Sequence, residues 1–215
     1  MWTFKNTEVA ENFNEHVREQ LPWYEMVTEF IVHIITSYSH DGSRIYDLGC
    51  STGNLENELS ELIANRNIEY IPIDNSQEMI EQYITTSNTK PILANIQDFE
   101  YGHFDIAVLN LTLMFLSYDE KQSLLKKLHS KMNQYAIIIV IDKYLTTKDL
   151  YFNQVLHNMT LRMKLRYSTA ENILSKELSL RGVQFPMLEK LISQEFQERE
   201  KFFQFGNFIG HVLFK

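Results

Sequence analysis

Hydrophobic positions along the first forty residues recur at helical spacing. Val9, Phe13, Val17 and Leu21 share one stripe, and Met26, Phe30 and Ile34 continue it after "LPWY", with Pro22 placed to open a second helix. The period then changes. "RIYDLG" (44–49) and "IEYIPID" (68–74) are short, nearly continuous apolar runs. A helical pattern over 54–64 follows the first, and "NSQEMIEQYI" (75–84), capped by Asn75 or Ser76, follows the second. "KPILANI" (90–96), "FDIAVLN" (104–110) and "YAIIIVID" (135–142) add three more strands, with a Ser117-capped helix over 117–132 between the last two. Such runs alternating with helices predict an α/β protein whose parallel sheet is covered on both faces.

Residues 148–195 break the alternation with two successive helical patterns. They follow the carboxyl end of the fifth strand, where a substrate lid belongs in this architecture; extra packing on the sheet is the alternative. The tail "FQEREKFFQFGNFIGHVLFK" holds two β-rich runs about Gly206–Asn207, which predicts an antiparallel hairpin at the sheet edge. The 215 residues, with seven glycines and four prolines, leave no room for a flexible linker. A single domain is expected over 1–215, with N-terminal helices over 1–40 and the insertion over 148–195.

Composition narrows the function classes. A formal charge of −8 argues against broad binding to nucleic-acid phosphates, so no direct nucleic-acid contact is expected. The single cysteine excludes an internal disulfide and a Cys-rich metal site, and the start of the chain carries no basic-then-apolar leader pattern, so a cytoplasmic setting is the default. "YAIIIVI" is too short to span a bilayer, which predicts no membrane contact. None of the seven histidines forms a metal-ligand pair, so no metal is expected.

Chemistry concentrates at the strand ends. In "IYDLGCSTGN" (45–54), Gly49 and Gly53 let backbone pass close to a ligand, and Asp47 faces it from the end of the first strand. Ser51 stands where a dinucleotide binder would place its middle glycine, so the loop suits a ligand without a diphosphate. Asp74 ends the second strand, where an acid accepts hydrogen bonds from two ribose hydroxyls, and Asn75 adjoins it. After the third strand, Asn95 and Asp98 are placed to meet an adenine amine with Ile96 against the ring; Asn110 ends the fourth strand opposite the glycine loop. Fitting residue types at four strand ends in succession predict a nucleoside cofactor. Cys50, with no activating base in view, reads as a small apolar filler.

The order "YDLGCSTG", "PIDNSQEMI", "ANIQDF", "VLNLTLMFL" resembles a class I S-adenosylmethionine-dependent methyltransferase, and most closely the carboxy-S-adenosylmethionine synthase branch, which acts in tRNA wobble-uridine modification. The likeness runs from "WTF" and "LPWYEMV" to "FFQFGNF" in the hairpin. It implies a Rossmann-like sheet of seven strands with the last reversed, and a homodimer. It assigns Tyr24 to the cofactor from the N-terminal helices, Gly49, Cys50 and Ser51 to the methionine and ribose side, and Asp74 and Asn75 to the ribose. Asn95 and Ile96 then meet the adenine, and Asn110 the amino-acid portion. The branch usually has Asp at the position of Asn95. It also pairs an arginine with the extra carboxylate of its product, and Lys176 matches that position, with Arg181, Arg166 and Arg162 nearby. A guanidinium's bidentate fork is not reproduced by an ammonium.

Three readings follow. The first is an S-adenosylmethionine-dependent methyltransferase yielding S-adenosylhomocysteine, with a small acceptor, anionic molecules among the candidates. The second is carboxy-S-adenosylmethionine synthesis, which in the resembling family takes its carboxyl group from prephenate. The third is a non-catalytic cofactor-binding partner of another enzyme. Methyl transfer from a sulfonium is mainly a matter of placement, and Asp142, Tyr144, Tyr151, His157 and Tyr167 are the candidate bases around the expected mouth.

Overall fold

The computed structural model describes residues 6–85, 89–145 and 149–215; Trp2, Thr3, Phe4 and Lys148, on which part of the sequence reading rested, lie outside them. Seven strands, β1 (Arg44–Leu48), β2 (Glu69–Asp74), β3 (Ile92–Leu93), β4 (Phe104–Asn110), β5 (Met132–Lys143), β6 (Arg199–Phe205) and β7 (Phe208–Phe214), form one sheet among the described residues. Its order is β3-β2-β1-β4-β5-β7-β6. β1 to β5 pair in parallel, and β7 runs antiparallel between β5 and β6. This is the Rossmann-like sheet with a reversed last strand.

Each central strand buries both faces. Ile137, Ile139 and Ile141 of β5 pack beneath α3 (Tyr24–Tyr38) and α4 (Asn54–Asn65), against Val27, Ile31, Ile35, Leu55 and Leu59. Ile138 and Val140 pack on the opposite side with Leu124, Leu125 and Leu128 of α6 (Tyr118–Lys131). The two-residue period of a strand puts neighbours on opposite faces, and each fully buried aliphatic side chain contributes about 1.5–3 kcal/mol. Capping residues define the helix starts. Ser117 and Glu120 form a reciprocal capping box on α6, and Ser76 accepts from the Met79 amide at the start of α5 (Gln77–Glu81).

Local details depart from the pattern. The stripe over Val9–Leu21 is not one helix: non-helical Asn12 separates α1 (Thr7–Glu11) from α2 (Phe13–Gln20). Pro22 precedes α3 by two residues, in the turn before its N-cap Trp23. β3 shrinks to two exposed residues at the sheet edge, where few apolar neighbours reward a longer strand. β5 begins directly after α6, with Tyr135 at a φ of 67°.

The insertion divides into two kinds of structure. α7 (Leu150–Lys164) buries no residue fully and α8 (Ala170–Ser179) buries only Ile173. α9 (Glu189–Glu195), which periodicity did not reveal, drives Leu191 and Ile192 into the α6-side core. Packing is therefore the role of α9, while α7 and α8 overhang the carboxyl ends of the strands. A strap ties them down: the Phe185 amide donates to Met114 O (2.7 Å), and the ammonium of Lys121 donates to the Phe185 carbonyl.

Candidate functional site

At the carboxyl edge the chain leaves β1 through a tight loop. The Gly49 and Cys50 amides both donate to the Ile73 carbonyl, at 2.8 and 3.1 Å, so the loop folds over the end of β2. Gly49 has a φ of +86°, and a Cβ there would lie 2.5 Å from Thr112 Oγ1, whose hydroxyl donates to Leu48 O at 2.8 Å. Glycine is required on both counts. Gly53, at +87°, caps α4, and a Cβ there would lie 2.8 Å from Ile84 O; it shapes the loop from outside the ligand cavity.

Asp74 holds this loop. One carboxylate oxygen accepts from the Ser51 amide and the other from the Ser76 amide, each at 2.9 Å. The Asn75 amide also bonds this carboxylate, which keeps acceptor capacity for a ligand hydroxyl. Burial raises the Asp74 carboxyl above its ordinary range, against the pull of those amides. Asp47 is buried under the loop and accepts from the Tyr70 hydroxyl at 2.7 Å; burial pushes its carboxyl up to about 7, although that hydrogen bond favours the charged form. Burial also raises the Cys50 thiol well above its ordinary range, which keeps it protonated and unreactive.

Above the loop lies a cavity of about 450 Å³, enclosed by the strand ends, α2, α3, α7 and α8. Tyr24, Asp47, Gly49, Cys50, Ser51, Asp74, Asn75, Ile96 and Asn110 line it, drawn from five separate segments. Asn95 lies at the exposed rim outside the lining, where its carboxamide accepts from Asn75 (3.2 Å) and donates to Asp98 (3.1 Å). Gln97 lines the wall in its place, beside Ile96 and Ala94. Two buried carboxamide oxygens on the wall, Asn110 Oδ1 and Asn207 Oδ1, have no hydrogen-bond partner among the described residues. Such an acceptor costs about 1–3 kcal/mol, so both await a donor. Two carboxylates, two orphan carbonyls and an apolar slot at Met79 and Ile96 fit a cationic nucleoside with an amino-acid arm.

The opposite wall has the reverse charge. Lys143 at the end of β5, His157 and Lys164 of α7, Lys176 and Glu177 of α8, and His16 of α2 face the same cavity. Three ammonium groups here meet one carboxylate, in a chain whose formal charge is −8. Lys164 and Glu177 pair at 2.8 Å, and Lys176 Nζ lies 2.7 Å from His16 Nε2. Burial lowers Lys176 to about 7, helped by Lys164, and lowers Lys143 as well. Burial raises Glu177, but Lys164, Lys143 and His157 outweigh it and hold the carboxyl below its usual range. His157 is lowered by burial and by Lys143.

The remaining candidates sit elsewhere. Tyr144 is not at the mouth: it is buried beside β7, its hydroxyl 3.1 Å from His211 Nδ1, next to a separate hollow with Glu189 and Arg199. The alternation of β5 turns residue 144 away from the side that Lys143 faces. Tyr167, Arg166 and Arg181 are exposed and outside the lining, because the α7–α8 turn and the end of α8 project into solvent. Asp142 is fully buried and accepts from the Met114 amide at 3.0 Å, a structural post beneath the rim; Tyr151 is exposed. Lys143, Gln97, Thr112 and Asn207 were missed, while Lys164 lies in the basic run "LRMKLR" (161–166), which the sequence reads first as a solvated face and second as a contact for a carboxylate-bearing substrate. The one readable signal was His157, Thr160 and Lys164 at i, i+3 and i+7, a polar stripe on one face of α7.

The strand order, the loop and the cavity chemistry agree with what comparison finds. A methyltransferase-domain family matches residues 45–134. A carboxy-S-adenosyl-L-methionine synthase of Staphylococcus epidermidis is 29% identical, over 100% of this chain and 97% of that one. The protein of the same name from Shewanella piezotolerans is 30% identical, over 98% of this chain and 91% of that one. Among solved structures, the plantazolicin methyltransferase BpumL in complex with S-adenosylhomocysteine superposes with a TM-score of 0.67 at 14% identity, covering 97% of this chain and 89% of that one.

Proposed function

We propose, for a chain that belongs to the carboxy-S-adenosyl-L-methionine synthase family of S-adenosylmethionine-dependent transferases, that it forms carboxy-S-adenosylmethionine from S-adenosylmethionine and a small carboxylate-bearing co-substrate. Prephenate is that co-substrate in the resembling family. The observation that carries this reading is the wall of Lys143, Lys164 and Lys176 facing the acidic strand-end wall across one cavity. The cofactor supplies an activated sulfonium centre when bound.

The chain's own residues do the placing. Asp74 offers its remaining lone pairs to ribose hydroxyls, and Asn75 flanks it. Ile96, Met79 and Gln97 form the adenine slot. Asp47, Asn110 and Asn207 take the donors of the amino-acid arm, with Tyr24 closing that end from α3. The lysines hold the co-substrate's carboxylate near the sulfonium, and α2, α7 and α8 exclude water from the reacting pair. His157 is the one earlier candidate base that lines the cavity. An anionic methyl acceptor would use the same two walls, and product mass separates the two reactions. Purified protein incubated with S-adenosylmethionine and prephenate is expected to give a cofactor heavier by one carboxyl group. Only S-adenosylhomocysteine, with an added acceptor methylated, would favour methyl transfer.

The same proposal includes a single domain over 1–215, a homodimer, a cytoplasmic setting and no direct nucleic-acid contact. In support of the dimer, Leu150, Tyr151, Phe152 and Val155 of α7 are 82, 78, 50 and 42% exposed, more apolar surface than a monomeric helix usually presents. Sedimentation equilibrium tests it. No described helix is long and apolar enough to cross a membrane.

A further inference from the structure

The N-terminal helix α2 touches both walls of the cavity. Its inward face presents Phe13, His16, Val17 and Gln20, at i, i+3, i+4 and i+7. On one flank Asn14 accepts a hydrogen bond from the Thr52 hydroxyl of the glycine loop at 2.7 Å. On the other, His16 Nε2 lies 2.7 Å from the ammonium of Lys176 on α8. An ammonium has only donors, so at this contact the imidazole accepts, which requires a neutral ring with its proton on Nδ1. Burial first, then the charges of Lys176 and Lys164, lower His16 to about 4, and the ring stays neutral at working pH.

We propose that His16 is a positioning residue for Lys176: it orients the ammonium into the cavity, favours its charged form, and so ties α2 to capture of an anionic co-substrate. This rests on the reading of the lysine wall as the co-substrate site. Lysine has a flexible stem and no fixed fork, so a lysine serving as a carboxylate anchor needs a neighbour to hold its direction. Lys164 on α7 repels it, Glu177 on α8 attracts it while paired to Lys164, and Lys143 on β5 and His157 on α7 share the same wall. His16 reaches it from a different element, across the mouth, as a neutral acceptor. A cation there would empty the site, and an apolar side chain would leave the ammonium with one partner fewer in a buried place.

The test follows the titration of Lys176 by NMR of the 13Cε of labelled lysines, with Lys176→Met assigning the signal, beside steady-state kinetics with S-adenosylmethionine and prephenate. In His16→Phe the midpoint of Lys176 is expected to move down by about one pH unit from its value near 7, because the charged form loses an acceptor. The KM for prephenate is expected to rise about tenfold at pH 7.5 and less at pH 6, with cofactor affinity within about twofold of the parent. His16→Gln, whose carbonyl also accepts, should restore both the midpoint and the KM. A Lys176 midpoint identical in the parent and His16→Phe overturns the proposal, whatever the kinetics. If His16→Phe moves the midpoint but prephenate perturbs neither Lys176 nor its variant's kinetics, the positioning contact stands and the co-substrate reading fails. A Phe variant that unfolds leaves His16→Gln against His16→Leu as the deciding pair, and equal midpoints in those two overturn it equally.

Discussion

The two walls of the cavity are built by different means. The strand-end wall stands on the most buried part of the molecule: Asp47 and Asp74 sit at the ends of β1 and β2, which pair residue by residue from Arg44↔Glu69 to Leu48↔Ile73. Its charges are held by backbone amides and by Tyr70. The lysine wall stands mainly on α7 and α8, which hold one buried residue between them, with Lys143 added from the end of β5, and its charges are held mainly by one another. A wall built on the sheet fixes a ligand common to many reactions. A wall built on an overhanging insertion can change its charge without disturbing the core, and under the proposed function it is the wall that selects the co-substrate.

Gly49→Val strikes the first wall hardest. A valine Cβ would lie 2.5 Å from Thr112 Oγ1 at a φ of +86°, so cofactor affinity is expected to fall about 100-fold or more by calorimetry, with the thermal transition retained. Retained affinity would mean that the loop does not shape the cofactor site. Asp74→Ala removes the acceptor for two loop amides as well as for the ribose. About 30-fold weaker cofactor binding is expected, with prephenate KM at saturating cofactor nearly unchanged. Equal damage to both constants would erase the division between the walls.

The charge of Asp47 gives a pH signature. Its carboxyl is raised to about 7, so the folded protein holds a proton that the unfolded chain releases near pH 4. Without cofactor, stability contributed by this group is therefore present at low pH and lost as pH rises through 7. A cationic ligand favours the ionised form. Cofactor affinity is expected to increase about tenfold from pH 6 to pH 8, with proton release measurable in buffers of differing ionisation enthalpy, and Asp47→Asn should flatten that profile. The smallest effect belongs to the second wall. Lys143→Met should raise the prephenate KM about fivefold and leave cofactor affinity within twofold, since the neighbouring lysines retain part of the attraction. A change in cofactor affinity alone would reverse the assignment of that wall.

Most of the first wall was legible in the chain. Apolar runs of five to seven residues must be buried on both faces, and their order alternating with helices leaves a parallel sheet whose carboxyl ends converge. A glycine, an acid or a carboxamide at the end of such a run therefore marks the cavity, which is why Asp47, Gly49, Asp74 and Asn110 could be read directly. Asn95 shows the limit of this reasoning. It lies two residues past Leu93, the last residue of β3, and one residue of turn geometry placed Gln97 on the wall and Asn95 at the rim. Thr112 was invisible because its importance arises from where it crosses Gly49, a contact between residues 63 positions apart.

The second wall was decided by tertiary structure. Lysines on an amphipathic helix satisfy the same local pattern whether they face water or a cavity, so the sequence places "LRMKLR" on a helix without saying which of its cations turns inward. Packing chose Lys164 and left Arg166 exposed. The sequence by itself determined the succession of strands along the chain, the reversed hairpin about Gly206–Asn207 and the glycine loop after the first strand, because each rests on local periodicity and on backbone conformations that glycine permits. Only the folded chain brought His16 to Lys176 and Lys164 to Glu177. Contacts of 160 and 13 residues' separation depend on how α2, α7 and α8 lie across the strand ends, and no local preference encodes that angle.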